Sequence, residues 1–315
     1  MKIAILDDYQ GVATGLADWA ALPAEITVFR DTLIDADAIA ARLAPFEVIV
    51  AMRERTRFPA EMLARLPNLK LLVTTGLFNA AIDVAAAKAR GITVSGTRMY
   101  AHSTAPLVWG LILSLARHIH EENRRVHEGG WQQTIGLALH GKMLGLVGAG
   151  NLGQEVAKAG RAFGMKIQAW SPNLTRERAD AAGVALASRE DLFATSDVIS
   201  IHMVLSPRTR GLIGAADLAR MKKTAYLINT SRGPLVEEAA LIEALRTRRI
   251  AGAGLDVFDQ EPLPADHPLR GLDNALLTPH LGYVTEDDYR IAYQDAVENI
   301  RTYLTGAPLR VIEPR

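Results

Sequence analysis

The chain has no cysteine, no excess of charge of either sign and no apolar run long enough to cross a membrane. The lack of cysteine excludes disulfides, thiolate metal ligands and a cysteine nucleophile, and it suits a reducing compartment. Lys and Arg total 35 and Asp and Glu total 35, so no bulk positive field draws the chain to nucleic acid or to an anionic membrane. The longest apolar stretch, residues 105–116, is broken by Gly110 and Ser114. It falls short of the roughly 20 residues that span a bilayer and reads as a buried helix. The first residues, MKIAILDDYQ, form a short apolar strand running into Asp7 and Asp8. They lack the basic start, long apolar stretch and cleavage site of a secretory signal. The expectation is a cytoplasmic protein with neither a membrane nor a nucleic acid as partner.

At 315 residues, 49% of them hydrophobic and 22% charged, the chain has room for two domains with real cores and not for three ordinary ones. Its first hundred residues alternate apolar strand-like runs (KIAIL, ITVFR, VIVAM, LKLLVTT, ITVSG) with stretches at helical spacing over 35–43, 59–66 and 82–90. Alternation of this kind predicts a parallel sheet covered by helices on both faces, here a flavodoxin-like unit. Ser103 or Thr104 is placed to cap the long helix that follows. A second alternating series begins at Met143, with strands MLGLV, MKIQAW, DVISIH, AYLINT, GAGLDV and ALLTPH. The fold class is therefore α/β, with two doubly wound parallel-sheet domains, the second of Rossmann type. A final helix is expected over 286–304.

Four motifs follow one another in this second half. Gly148-Ala149-Gly150-Asn151-Leu152-Gly153 lies between an apolar strand and a helix over 154–163, the context of a dinucleotide loop. Gly148 permits a tight turn, Gly150 lets the backbone approach a pyrophosphate, and Gly153 lets helix and strand pack closely. With Asn151 and Leu152, these glycines place the phosphates on a helix N-terminus. Downstream come N-T-S-R-G with Arg232, D-V-F-D-Q-E-P with Asp256 and Glu261, and T-P-H-L-G with His280, each at the end of a strand-like run. A parallel sheet brings the carboxyl ends of its strands to one edge, so a fixed cation, an acid and an imidazole meet there. Reduction of a 2-oxo acid requires such a set. His280 is the best proton donor, because imidazole as a group suits proton transfer near neutral pH, Glu261 would hold its far nitrogen and stabilise the imidazolium, and Arg232 offers paired donors to a planar carboxylate. No histidine pattern has metal-ligand spacing, since His118 and His120 do not share a helical face. No metal is expected.

In this order the motifs resemble the D-isomer-specific 2-hydroxyacid dehydrogenases, the family of glyoxylate, hydroxypyruvate and phosphoglycerate dehydrogenases, over nearly the whole chain. The resemblance implies an oxidoreductase using NAD(H) or NADP(H) on the CH–OH group of a small 2-hydroxy acid. It also implies a homodimer formed through the cofactor domain. The final helix would return to the first domain, so that residues 1–101 and 284–315 make a discontinuous substrate domain and 102–283 the cofactor domain. Asp256 resembles the residue beside the nicotinamide. The segment Thr74-Thr75-Gly76-Leu77-Phe78-Asn79 resembles the loop whose amides hold the substrate carboxylate, with Phe78 where relatives often have glycine. Arg53 matches a segment bordering the cleft, and Pro106 replaces a common glutamate. Ser171 stands where the family commonly has the Asp that holds the adenosine ribose, no acid lies within 165–174, and Arg176 and Arg178 follow. That substitution favours NADPH at least as much as NADH. Two alternatives share the fold: a formate-type dehydrogenase, which usually pairs its histidine with glutamine, and a nucleotide-sensing corepressor, which binds peptides.

Overall fold

The computed structural model describes residues 1–100 and 102–314. Ala101 and Arg315, the expected ends of two domain segments, lie outside the described residues. The chain divides into two compact units, Met1–Ala101 with Val284–Arg315, and His102–Tyr283.

The first unit holds a five-stranded sheet of β1 (Lys2–Ile5), β2 (Glu25–Val28), β3 (Val48–Ala51), β4 (Leu71–Thr74) and β5 (Thr93–Gly96). They lie side by side in the order β2-β1-β3-β4-β5, every pair parallel. This is the flavodoxin-type order, with its topological switch point between β1 and β3. The interior strands VIVA and LLVT are buried at every residue, whereas the edge strand EITV is not. Helices cover both faces, so an interior strand has no solvent side and reads as an unbroken apolar run. The last helix, Glu286–Leu304, belongs to this unit and buries Tyr289, Ala292, Tyr293, Ala296 and Ile300 at three- and four-residue spacing. Its polar side is tied down as well. Asp295, 2% exposed, accepts from Arg98 Nη2 at 2.7 Å and Nε at 3.0 Å, and Asn299 Nδ2 donates to Gly96 O at 2.8 Å.

The second unit holds seven strands: β6 (Met143–Val147), β7 (Lys166–Trp170), β8 (Ala185–Leu186), β9 (Val198–Ile201), β10 (Tyr226–Asn229), β11 (Gly252–Leu255) and β12 (Ala275–Leu277). Their order is β12-β11-β10-β9-β6-β7-β8, again all parallel. Taken from β8, this is the Rossmann order extended by one strand, and the switch point falls between β6 and β9. Both sheets are thus the parallel α/β sheets the alternation predicts, and β8, a two-residue edge strand, is the one strand the pattern did not reveal. The long helix is Thr104–Ala116 with Ser103 at its N-cap, yet no side chain caps it. The Thr104 hydroxyl instead donates to Gly282 O at 2.9 Å.

Candidate active site

The glycine loop follows β6 and opens the helix Asn151–Ala162, which has Gly150 at its N-cap and no side-chain cap. The three glycines stand for different physical reasons. Gly148 has φ +104°, and a Cβ there would lie 2.3 Å from the His202 carbonyl oxygen. At Gly153 a Cβ would lie 2.4 Å from Gly148 O, so helix and strand could not approach. At Gly150 a Cβ would meet no protein atom within 4 Å. Protein packing therefore does not require a glycine at 150, whereas a ligand lying against the backbone there does. With the uncapped amides of the first turn and their positive dipole end, these residues fit a dinucleotide diphosphate. Asn151 is exposed and Leu152 half-buried within that turn.

After β7 the chain turns through the half-buried Ser171 and the exposed Pro172 and Asn173. Thr175 caps the short helix Arg176–Ala181. Arg178 Nη1 donates to Asn173 O at 3.2 Å, which engages it in the turn, and Arg176 is exposed.

At the carboxyl end of β10, Asn229 closes the turn that presents Arg232. Its Oδ1 accepts from Ser231 N at 3.0 Å and its Nδ2 donates to Arg232 O at 2.9 Å. Gly233 is required beneath it, because a Cβ would lie 2.2 Å from the Phe258 carbonyl carbon. Arg232 Nη1 donates to Ser231 O at 2.7 Å. Asp256 directly follows β11 and has no exposed surface. Its Oδ1 accepts from Thr278 Oγ1 at 2.6 Å and Leu281 N at 2.7 Å, and its Oδ2 from Gly282 N at 2.9 Å. Burial pushes the Asp256 carboxyl up, against the lowering effect of the Thr278 hydroxyl and the two amides. The structure therefore places Asp256 beneath the turn that carries His280, binding that turn to β11.

His280 follows β12 in a left-handed conformation, φ +56°, which is uncommon for a residue with a Cβ and is concentrated at sites where the surroundings over-determine it. Its Nδ1 lies 2.6 Å from Glu261 Oε2, while Glu261 Oε1 accepts from Phe258 N at 2.9 Å. Glu261 is thus fixed from behind, and with Nδ1–H donating to it, Nε2 is the nitrogen left for a reacting group. A carboxylate–imidazole pair so arranged can give and take a proton. His280 and Glu261 are brought together directly. Arg232 leaves the same sheet edge two strands away, and the glycine loop four strands away.

In the first unit, Thr75-Gly76 and Asn79 wrap around Arg53, itself at φ +49°. Arg53 N donates to Thr75 Oγ1 at 2.8 Å and Nη1 to Thr75 O at 3.0 Å, while Asn79 Nδ2 donates to Arg53 O at 2.7 Å. Gly76, at φ +97°, is where a Cβ would sit 1.8 Å from Arg53 Nη1. Leu77 and Phe78 follow, 63% and 46% exposed. The motifs did not single out Asn229, Thr278 or Asn79 as site residues. Asn229 and Thr278 are the first letters of N-T-S-R-G and T-P-H-L-G, and that position was the available signal. Among the described residues, no group of three or more His, Asp or Glu side chains is arranged to hold a metal ion, and no helix is long and apolar enough to cross a membrane.

Comparison with known proteins follows the same lines. Residues 109–282 match the family described as "D-isomer specific 2-hydroxyacid dehydrogenase, NAD binding domain". The chain is 32% identical to a hydroxypyruvate reductase of Blautia hydrogenotrophica over 99% of each chain. It is 38% identical to a glyoxylate reductase of Aeropyrum pernix, over 79% of this chain and 78% of that one. Among solved structures, a phosphoglycerate oxidoreductase of Vibrio cholerae superposes with a TM-score of 0.93 at 40% identity, covering 98% of this chain and 100% of that one. The chain belongs to the D-isomer-specific 2-hydroxyacid dehydrogenases, NAD-binding oxidoreductases that act on 2-hydroxy acids.

Proposed function

We propose that this dehydrogenase works as a cytoplasmic, homodimeric reductase of small 2-oxo acids of the glyoxylate and hydroxypyruvate type, using NADPH at least as well as NADH. The observation that carries the reading is the His280–Glu261 pair, a proton donor at 2.6 Å from a carboxylate that is itself anchored. The names of the relatives support the substrate class, since one is a hydroxypyruvate reductase and another a glyoxylate reductase.

Gly148, Gly150, Asn151, Leu152 and Gly153 hold the diphosphate on the helix N-terminus. When bound, the reduced nicotinamide supplies the hydride that the carbonyl carbon accepts. The remaining tasks fall to side chains of the protein. Arg232 pairs with the substrate carboxylate and polarises the carbonyl, while Leu77, Phe78 and Arg53 form the second group of substrate contacts. His280 gives its Nε2 proton to the carbonyl oxygen as the C=O becomes CH–OH, and Glu261 stabilises the imidazolium that exists before that transfer. In the opposite direction His280 takes the hydroxyl proton. For the cofactor, Ser171 presents a hydroxyl where an acid would repel a 2′-phosphate. Arg176, exposed at the start of its helix, supplies the opposing charge.

A panel of 2-oxo acids, each assayed with NADPH and NADH by nicotinamide absorbance, tests the reading. Turnover of glyoxylate or hydroxypyruvate with NADPH at or above the NADH rate is expected. No turnover of any 2-oxo acid would overturn the function, and a wide preference for NADH would overturn the cofactor assignment.

A further inference from the structure

We propose that Tyr283 is a positioning residue for His280. Its ring confines the imidazole so that Nδ1 stays on Glu261 and Nε2 stays presented. This rests on the reading of His280 as proton donor.

Among the described residues, the imidazole is attached to the rest of the site by one hydrogen bond, Nδ1 to Glu261 Oε2. One bond is a weak orienter, because the terminal torsion of histidine is broad and roughly two-fold. A rotation of the ring out of its present plane would break the bond to the carboxylate and swing Nε2 away from its presented position. Tyr283 supplies the second constraint. Its ring centroid lies 5.3 Å from that of His280 with the planes at 73°, the edge-to-face arrangement aromatic pairs prefer. Tyr283 can act as a wall because it is itself immobilised. It is 9% exposed, and both polar groups of the preceding residue are engaged. Gly282 N donates to Asp256 Oδ2 at 2.9 Å, and Gly282 O accepts from Thr104 Oγ1 at 2.9 Å. Asp256 and Thr104 thus fix the backbone that leads into Tyr283. The left-handed His280, φ +56°, is held in the same turn by the Leu281 N–H bond to Asp256. The acid therefore secures the backbone of the turn and the tyrosine its reactive ring.

The test is a double-mutant cycle on the full chain between Tyr283→Leu and Glu261→Gln, with Tyr283→Phe as rescue and His280→Asn as reference. Tyr283→Leu should lower kcat for 2-oxo acid reduction about tenfold, below the roughly 100-fold of a full misplacement of about 1 Å because the bond to Glu261 remains. Its dissociation constant for NADPH, read by cofactor fluorescence, should stay at the parent value, which also shows the variant is folded. Its pH profile should move in the same direction as that of Glu261→Gln. In the Glu261→Gln background the same leucine should cost much less, because the bond it protects is already weakened. Tyr283→Phe should restore the parent profile. Parent kinetics for Tyr283→Leu, an equal cost in both backgrounds, or a phenylalanine as damaging as the leucine would each overturn the proposal. A His280→Asn variant that turned over normally would instead overturn the reading on which it rests.

Discussion

At the carboxyl edge of the seven-stranded sheet, the residues that matter are joined by their side chains. Glu261 meets His280, Asp256 gathers Thr278 and two amides, and Asn229 closes the turn below Arg232. In the first unit, after β4, the side chain is the fixed object and the backbone is shaped around it. Arg53 is held by Thr75 and Asn79, and Gly76 leaves the space its guanidinium fills. The contrast shows how differently a parallel sheet edge can be made specific. A side-chain pair such as His280 with Glu261 depends on residue identity. A wrapped backbone depends on positions where a Cβ cannot stand, Gly76 against the Arg53 guanidinium and Gly96 against Gly76 O.

The largest effect should come from removing the proton donor at the side-chain edge. His280→Asn is expected to lower kcat for oxo-acid reduction on the order of 100-fold or more while leaving the dissociation constant for NADPH unchanged by fluorescence titration. Near-normal turnover would show that this edge does no acid–base work.

A second variant asks whether burial at that edge constrains stability. Both ring nitrogens of His202, behind the glycine loop, are buried without a hydrogen-bond partner among the described residues, and burial lowers its pKa from 6.5 to about 4. The unfolded chain then binds the proton that the folded one refuses. Stability is fully present above pH 6.5 and falls as pH drops toward 4, by about 3 kcal/mol from this group alone. Urea midpoints measured between pH 4 and 7 should therefore show a shallower pH slope for His202→Leu than for the parent. Parallel slopes would mean that His202 does not titrate in this window.

The backbone edge is broken by a single methyl group. Gly76→Ala places a Cβ on the Arg53 guanidinium and strains a residue at φ +97°. We expect KM for the 2-oxo acid to rise about tenfold with cofactor affinity unchanged, the pattern of lost substrate binding. An unaltered KM would remove Arg53, Leu77 and Phe78 from the substrate site.

The same contrast explains what the sequence made legible. An interior strand such as VIVA is buried at every residue and reads as an unbroken apolar run, so the strands other than β8 could be drawn largely from hydrophobicity. The meeting of Glu261 with His280 was legible because a parallel sheet brings the carboxyl ends of its strands to one edge. What stayed hidden was conformational. The helix after the glycine loop begins at Asn151, three residues before its apolar pattern starts, because its first turn is occupied by a loop sequence. His118 breaks the long helix by turning left-handed at φ +52°, which no composition signals in a polar segment. β8 has two residues, too few for any period. Asp256 showed its motif but not its partners, since hydrogen bonds to Leu281 and Gly282 amides leave no mark on residue identity.

The central claim is that Glu261 and His280 act as one acid–base unit, and the pH dependence of kcat/KM for parent and Glu261→Gln tests it most directly. Loss of the carboxylate removes the charge that stabilises the imidazolium. The high-pH limb of oxo-acid reduction should therefore move to lower pH, with NADPH affinity retained. A limb that stays where it is in the parent would contradict the account, because it would show that the carboxylate 2.6 Å from Nδ1 does not govern the proton His280 delivers.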